Sequence, residues 1–209
     1  MPDTRTLWIA VVVLCIAVTL FFSIKKRTTF KRLQQLMATE QWTEFDRLLD
    51  SKLTALLYPR YNRDYLRLNS YLLREDHAHA EELFELLLGL QLPKMQRVDL
   101  VIKAFNYYAG RENGAKAKEL LNEIKGYEGD RAEAVKHECQ LMYDTMILKR
   151  HNDIAELERL VDEAADEKLK RGRLEYLLAL QYRNKGDKAK FDEYVAKAAQ
   201  DSYGADGLA

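Results

Sequence analysis

The hydrophobic residues of this chain follow two different patterns, one near the N-terminus and one over the rest of the sequence. Residues 7–24 form an uncharged, apolar run of 18 residues. As a helix this run would extend about 27 Å, close to the ~30 Å hydrocarbon core of a bilayer. From residue 28 onward, apolar residues recur every three or four positions, which predicts amphipathic helices with one buried face. The pattern therefore predicts one transmembrane helix followed by a helical body.

Positive charge follows the apolar run immediately. The flanking cations are Lys25, Lys26, Arg27, Lys31 and Arg32. Only Arg5 precedes the run, so the positive-inside rule predicts a single-pass protein whose N-terminal tail lies across the membrane and whose C-terminal body lies in the cytoplasm. We expect the cations either to contact anionic lipid or to serve only as the topology signal. A cleaved signal peptide is the alternative, although such peptides carry their charge before the apolar run and small residues after it.

Helix start and stop signals divide the body into short helices. The predicted starts are marked by Pro59, Asp76, Pro93, Asn113 and the capping-box-like pair Asp130 and Glu133. The first pair of helices is predicted over residues 29–39 and 42–57, and the helix after Asp130 is predicted to reach residue 149. Nine glycines and three prolines in 209 residues favour helix throughout, and no strand-like alternation occurs. The predicted fold class is therefore all-α.

The predicted helices come in pairs that repeat. The second helices of the pairs begin near Glu40, Asp76, Asn113, Asn152 and Gly186, at intervals of 36, 37, 39 and 34 residues. A steady period of this length is typical of helical solenoids, in which each pair buries its apolar face against its neighbours.

The repeats resemble those of the tetratricopeptide (TPR) family. The clearest repeat matches through Tyr71, Ala80, Phe84, Leu87 and Pro93, the last through Tyr182, Gly186, Asp187, Tyr194 and Ala198, and the third through Tyr108, Ala117, Leu121 and Ile124. The chain departs from the family at Glu112, where glycine is usual, and at Phe45 and Phe191, where a small residue is usual. The fourth repeat, near residues 151–164, fits poorly. The resemblance implies a TPR-like α-solenoid of about five antiparallel helix pairs over residues 28–200, between a membrane anchor at 1–27 and a disordered tail at 201–209.

The resemblance also implies a concave groove that is lined by the first helix of each pair and binds a protein or peptide. Carrying the family register onto this chain puts Gln34, Asn69 and Asn106 at one inward position and Tyr65, Ile102 and Tyr176 at another. A side-chain amide can both donate to and accept from a peptide backbone. The family's lysine clamp for a terminal carboxylate is not predicted, because Tyr65 and Ile102 stand in its place. Alternatively, Asn69 and Asn106 only bond between neighbouring helices, since buried amides need partners.

No arrangement typical of catalysis, of a metal site or of a cofactor site occurs in the sequence. His77 and His79 are two positions apart on a predicted helix, so they point in different directions and are expected to be exposed. His137 and Cys139 diverge in the same way, and no phosphate loop or nucleophile motif is present. The 33 basic and 33 acidic residues balance, which gives no electrostatic footprint for nucleic acid. The sequence thus predicts no enzyme, no metal and no cofactor.

Two functions fit these features. The first is a membrane-anchored scaffold that recruits a protein or peptide partner through the groove, raising its local concentration at the membrane. The second is an accessory subunit of a transport, secretion or envelope-assembly complex, in which the apolar helix itself packs against other membrane helices. An enzyme with a composite site is the remaining alternative, and the missing motifs count against it.

Overall fold

The computed structural model of this chain describes the backbone of residues 4–129 and 132–201, and the side chains of these residues except 4–7, 9 and 10. All regular secondary structure in these residues is α-helix, so the predicted all-α class is confirmed. The helices are α1 (Thr4–Ala38), α2 (Trp42–Leu49), α3 (Lys52–Leu57), α4 (Arg60–Leu73), α5 (His77–Leu88), α6 (Lys94–Gly110), α7 (Gly114–Lys125), α8 (Ala132–Met146), α9 (Ile154–Glu163), α10 (Lys168–Lys185) and α11 (Lys188–Gln200). The chain divides into two compact units, Met1–Leu87 and Leu88–Ala209.

The first helix is longer than predicted. It runs without a break from Thr4 to Ala38, so the apolar run and the first body helix are one element rather than two. In the part of the chain that the structure describes, no helix combines the length and the apolar character needed to cross a membrane. The predicted span includes positions 7, 9 and 10, whose side chains lie outside the described residues, as do Asp130 of the predicted capping box and positions 202–209 of the predicted tail.

The two halves of α1 have different surroundings. Side chains at positions 11–28 are exposed, including the large apolar ones up to Ile24. Burial begins at Thr29 and continues at Leu33 and Leu36, which are spaced along one face of the helix. The body of the first unit therefore packs on the C-terminal third of α1 and leaves the apolar run uncovered.

The core of the first unit joins α1, α2 and α4. It consists of Leu33, Leu36, Phe45, Leu49 and Leu66, with Met37 and Leu48 packed against it. The single helix predicted for residues 42–57 is wrong, because the chain breaks at Asp50 and restarts as α3. Ser51 caps that restart, since its hydroxyl accepts from the Thr54 backbone N–H at 3.2 Å.

Most predicted helix starts are confirmed. Pro59 and Pro93 immediately precede α4 and α6. Asp76 and Asn113 accept hydrogen bonds from the backbone N–H groups of the first turns of α5 and α7, at 3.3 Å and 3.2 Å. The helix predicted to reach residue 149 ends earlier, at Met146.

In the second unit, α6 packs against both α7 and α8, and α10 packs against α8, α9 and α11. The first helices of its three pairs, α6, α8 and α10, thus lie in contact in the order of the sequence. Their buried faces supply most of the apolar core, including Leu100, Phe105, Leu141, Leu177 and Leu178.

A left-handed backbone turn recurs through both units. The residues with positive φ at these turns are Glu40, Glu75, Glu112, Lys149 and Gly186, separated by 35, 37, 37 and 37 residues. In four of the five turns, the N–H of the following residue donates to the carbonyl five positions back, the bond that closes a Schellman motif. This period is more regular than the predicted one, because the fourth turn falls at Lys149 and not at Asn152.

The fourth turn is bound by side chains from α10. The Asn184 amide donates to the carbonyls of Thr145 and Arg150 at 2.9 Å and 3.0 Å. The buried Gln181 amide donates to the Thr145 hydroxyl at 2.9 Å and accepts from the Asp153 N–H at 3.0 Å. The fourth turn also keeps a wider local bond, from the Arg150 N–H to the Asp144 carbonyl six positions back at 3.0 Å. Contacts from a distant part of the chain therefore add to the local closure of this turn.

Candidate functional site

The contact between the first helices of the second unit leaves a small groove on their exposed side. A cavity of about 170 Å³ opens there. It is lined by Ile102 and Asn106 of α6, by Val135, Glu138, Cys139 and Met142 of α8, and by Arg173 of α10. We call this set the α6–α8–α10 groove. Its volume suits one side chain of a partner, and its lining mixes apolar groups with an amide and an ion pair.

Two of the predicted groove residues meet in this groove. Ile102 and Asn106 are both half-buried there, so the Asn106 amide is reachable from the cavity. Tyr176 is half-buried on α10 but does not belong to the described lining.

The other three predicted groove residues belong to the first unit. Tyr65 and Asn69 are half-buried on α4, and Gln34 is exposed on α1. The structure thus brings together one pair of the predicted set, and the grouping of the remaining members stays a prediction.

Cys139 is one of five groove residues that the sequence prediction missed, with Val135, Glu138, Met142 and Arg173. It lies 37 residues after Ile102 and 37 before Tyr176, so it completes the series of equivalent positions that begins at Tyr65. Ile102 and Cys139 line the same cavity, as equivalent positions on neighbouring helices would. The turn at Lys149 gives the correct register, and the expected turn at Asn152 concealed it.

The Cys139 thiol is unsuited to nucleophilic chemistry. Burial, reinforced by the nearby Glu138 carboxylate, raises its pKa to about 12. A thiol with such a pKa is protonated at neutral pH, and the thiolate is the reactive form. His137 does not activate it, because the His137 ring contacts Glu156 of α9 instead, with Nε2 2.9 Å from Oε1. Cys139 therefore contributes a small apolar surface to the groove.

One ion pair crosses the groove. Arg173 of α10 contacts the Glu138 carboxylate of α8 at 3.0 Å, and about 40 % of each side chain is exposed. An exposed pair of this kind contributes little to stability, roughly 0–1 kcal/mol. Its charges are consequently accessible from solvent.

The first unit carries a second hollow, of about 230 Å³, between α4 and α5. Its wall consists of Arg60, Asp64, Arg67, Tyr71, His79, Glu82, Leu83 and Leu86. His79 is exposed as predicted, with its Nδ1 2.7 Å from an Asp76 carboxylate oxygen and its ring stacked on Tyr71. His77, also expected to be exposed, is half-buried. The hollow is polar and open, and charged side chains of its own wall already form pairs such as Arg60 with Asp64 at 3.4 Å.

The basic flank is the third candidate site. All five predicted cations are exposed on α1. The Tyr58 hydroxyl, at the end of α3, donates to the Lys26 carbonyl at 2.5 Å, and the Lys26 ammonium lies 5.4 Å from the centre of the Tyr58 ring. These contacts fix the end of α3 beside the point where the apolar run gives way to cations.

Neither potential metal ligands in the described residues nor similarity to known proteins indicates a role for these sites. No group of three or more possible metal ligands occurs in residues 4–129 and 132–201. In comparisons with known proteins, no family model, no curated protein and no solved structure matches the chain.

Proposed function

We propose that this chain is a membrane-anchored scaffold that recruits a protein or peptide partner. Residues 7–24 would be the anchor, and the body would be a TPR-like stack of about five helix pairs on the cytoplasmic side. The α6–α8–α10 groove would hold part of the partner. The observation that carries this proposal is the contrast along α1, in which an exposed apolar run continues directly into a helix built into the body.

The anchor is supported by the exposure of its apolar side chains. Large apolar residues from Val11 to Ile24 are 40–63 % exposed, and they occur at consecutive positions, so they surround the helix. A helix that is apolar on every side needs an apolar environment on every side. The Thr19 hydroxyl donates to the Cys15 carbonyl at 2.6 Å, so this polar group is satisfied within the helix.

The stacking of TPR-like pairs is supported by two observations in the second unit. The first helices α6, α8 and α10 contact one another in order. The left-handed residues of two successive turns also meet, since the Lys149 ammonium lies 2.6 Å from the Glu112 carboxylate. Equivalent turns of consecutive pairs are therefore neighbours, as stacking of a repeated unit requires.

Recruitment rather than catalysis is supported by the chemistry of the groove. The lining offers an amide, apolar groups and one exposed ion pair, and its thiol is protonated. Such a set can hold a side chain and hydrogen-bond a backbone, but it supplies no activated nucleophile.

Site-specific photo-crosslinking in native membranes tests the proposal. A photoreactive residue in place of Ile102 should give a discrete adduct. The same residue in place of Leu148 should give none, because Leu148 is 43 % exposed in the turn after α8 and does not line the groove. Arg173→Glu should reduce the Ile102 adduct, because it reverses one charge at the groove. Equal adducts from both positions, or no adduct at either, would count against recruitment through this groove.

An accessory subunit of a transport, secretion or envelope-assembly complex is the second candidate. Cys15, Thr19 and Ser23 are four positions apart, and therefore form a stripe of small residues along one face of α1. Such stripes favour close packing between membrane helices. Replacing residues 7–24 with polyleucine distinguishes the two functions, since recruitment should survive the exchange and subunit assembly should not.

A further inference from the structure

The short helix α3 has one buried face and one exposed leucine face. Thr54 and Leu57 are buried against the rest of the first unit. Leu53 and Leu56, which are three positions apart and so share the other face, are 43 % and 70 % exposed. We call these two residues the α3 leucine patch.

The α3 leucine patch lies next to the end of the apolar run. Helix α3 packs on α1, and the Tyr58 hydroxyl immediately after α3 donates to the Lys26 carbonyl at 2.5 Å. Lys26 is only two residues beyond Ile24, which is a rise of about 3 Å along the helix. The C-terminal end of α3 is therefore at the level where the predicted span ends, and tyrosine is enriched at that level of membranes.

The charge around the patch is positive. The cations of the basic flank are exposed on α1, and Lys52 is exposed at the start of α3. Residues 51–63 contain no acidic residue, and the acidic residues on either side of them, Asp50 and Asp64, are paired with Arg67 and Arg60. Apolar side chains next to exposed cations match an anionic lipid surface, which accepts leucines between its headgroups and cations on its phosphates.

We propose that the α3 leucine patch and the basic flank together rest on the anionic surface of the bilayer that α1 crosses. This inference depends on the proposed membrane anchor. The contact gives the body a fixed side toward the membrane, because α1 enters the first unit without an intervening loop and α3 braces it from a second direction. The first unit would then be held in one orientation rather than swinging about a tether.

Fluorescence of a polarity-sensitive probe in reconstituted vesicles tests this contact. The full chain, with Cys15 and Cys139 replaced by serine, is given a single cysteine by Leu56→Cys or Leu53→Cys, labelled with nitrobenzoxadiazole. In vesicles of phosphatidylcholine and phosphatidylglycerol, we expect a blue shift and quenching by lipids that carry a nitroxide near the headgroup.

The first unit offers a matched control. Leu73 is 45 % exposed at the far end of α4, about 20 Å along that helix from its start next to Tyr58. A probe from Leu73→Cys should remain in a polar environment and escape quenching. A probe from Leu20→Cys, within the predicted span, should be quenched by nitroxides deep in the bilayer.

The outcomes separate this inference from the anchor itself. If the Leu20 probe stays in water, the anchor fails and the α3 contact fails with it. If the Leu20 probe enters lipid while the probes in the α3 leucine patch behave like the Leu73 probe, only the contact is overturned. Shielding of the patch in native membranes but not in pure lipid vesicles would overturn it in favour of a protein partner. An equal signal without phosphatidylglycerol would overturn the role of the cations.

Discussion

The left-handed residue of each helix-pair turn carries a steric penalty unless it is glycine. Only Gly186 is glycine, and the other four positions hold glutamate or lysine. A side chain in this region costs about 1 kcal/mol, because its Cβ crowds the neighbouring carbonyl. Glu112 and Lys149 both carry this penalty, and their side chains form an ion pair with each other.

Gly186→Ala should destabilise the chain by about 1 kcal/mol. The φ of +86° disfavours any Cβ, and no neighbouring atom lies close enough to add a clash, so backbone strain is the whole effect. The free energy of unfolding, measured by urea denaturation of the full chain in detergent, gives the change. Glu75→Gly makes the reverse exchange in an equivalent turn, so it should not lower the free energy of unfolding by a comparable amount. Equal losses for both variants would contradict this account of the turns.

The buried Glu175 should make stability fall as pH rises. One of its carboxylate oxygens is buried without a hydrogen-bond partner among the described residues. Burial, followed by repulsion from Asp201, raises the pKa of Glu175 above its ordinary value. The folded chain therefore holds this proton more tightly than the unfolded chain. Stability is highest below the ordinary glutamate pKa and is lost as pH increases through the raised one.

Glu175→Gln should consequently stabilise the chain at neutral pH, because it removes a charge that burial and Asp201 disfavour. The advantage over the parent should shrink as pH falls toward the ordinary glutamate range. Thermal unfolding at several pH values measures the difference. Glu119→Gln, on the exposed face of α7, is the control and should change little at any pH. A Glu175→Gln variant less stable than the parent at neutral pH would show that the carboxylate is needed in its charged form.

Local signals were sufficient to predict most residues at helix starts. Asp76 and Asn113 could be identified as caps because a cap depends on the next three residues alone. Cys139 could not be identified as a groove residue, because its place in the groove depends on the register of the fourth pair. That register is fixed by Gln181 and Asn184, which contact the turn from more than 30 positions away.

At the scale of elements, α1 has an exposed part and a packed part, and its sequence shows the difference only as a change of pattern. The run without charge and the spaced apolar residues after it were correctly separated, but the helix does not break between them. Nothing at positions 25–29 is a helix breaker, so one helix continues through the cations. The break between α2 and α3 was missed, because Asp50 and Ser51 lie inside an apolar periodicity that continues on both sides.

Leu33→Ala should destabilise the first unit by about 2–5 kcal/mol, whereas Leu20→Ala should leave it unchanged. Both leucines lie on α1, but Leu33 is fully buried in the core and Leu20 is 58 % exposed. Truncating a buried leucine loses its apolar contacts and leaves a cavity. Urea denaturation of the full chain in detergent compares the two variants. A loss at Leu20 as large as that at Leu33 would mean that the apolar run packs against the body after all.

At the scale of the whole molecule, the sequence predicted the class of fold better than the lining of the α6–α8–α10 groove. The class follows from many independent helical periods, so an error in one of them does not change it. The groove depends on side chains from three helices meeting, and the register error in the pair that contains α8 removes four of its seven lining residues. Ile102 and Asn106 were found because their pair has a clear cap at Asn113, whereas the pair that contains Glu138 has Asp153 at that place, and the Asp153 side chain accepts no capping hydrogen bond.

The basic flank should determine the orientation of the whole chain in the membrane. If residues 7–24 are the anchor, the excess of cations after it predicts that the body faces the cytoplasm. Protease added to right-side-out vesicles should then leave the body intact, and protease added to inverted vesicles should degrade it.

The flank itself can be tested by removing its charge. With Lys25, Lys26, Arg27, Lys31 and Arg32 all replaced by glutamine, we expect a mixture of orientations, because only Arg5 then remains near the run and it favours the opposite one. All five side chains are exposed, so the helix and the core behind it should persist. Replacing Lys116, Lys118 and Lys125 of α7, far along the chain from the run, should leave the orientation unchanged. If the body of the parent chain is completely protected from protease added to the cytoplasmic side, the predicted topology is reversed. The compartment in which a partner of the proposed groove would be sought is then reversed as well.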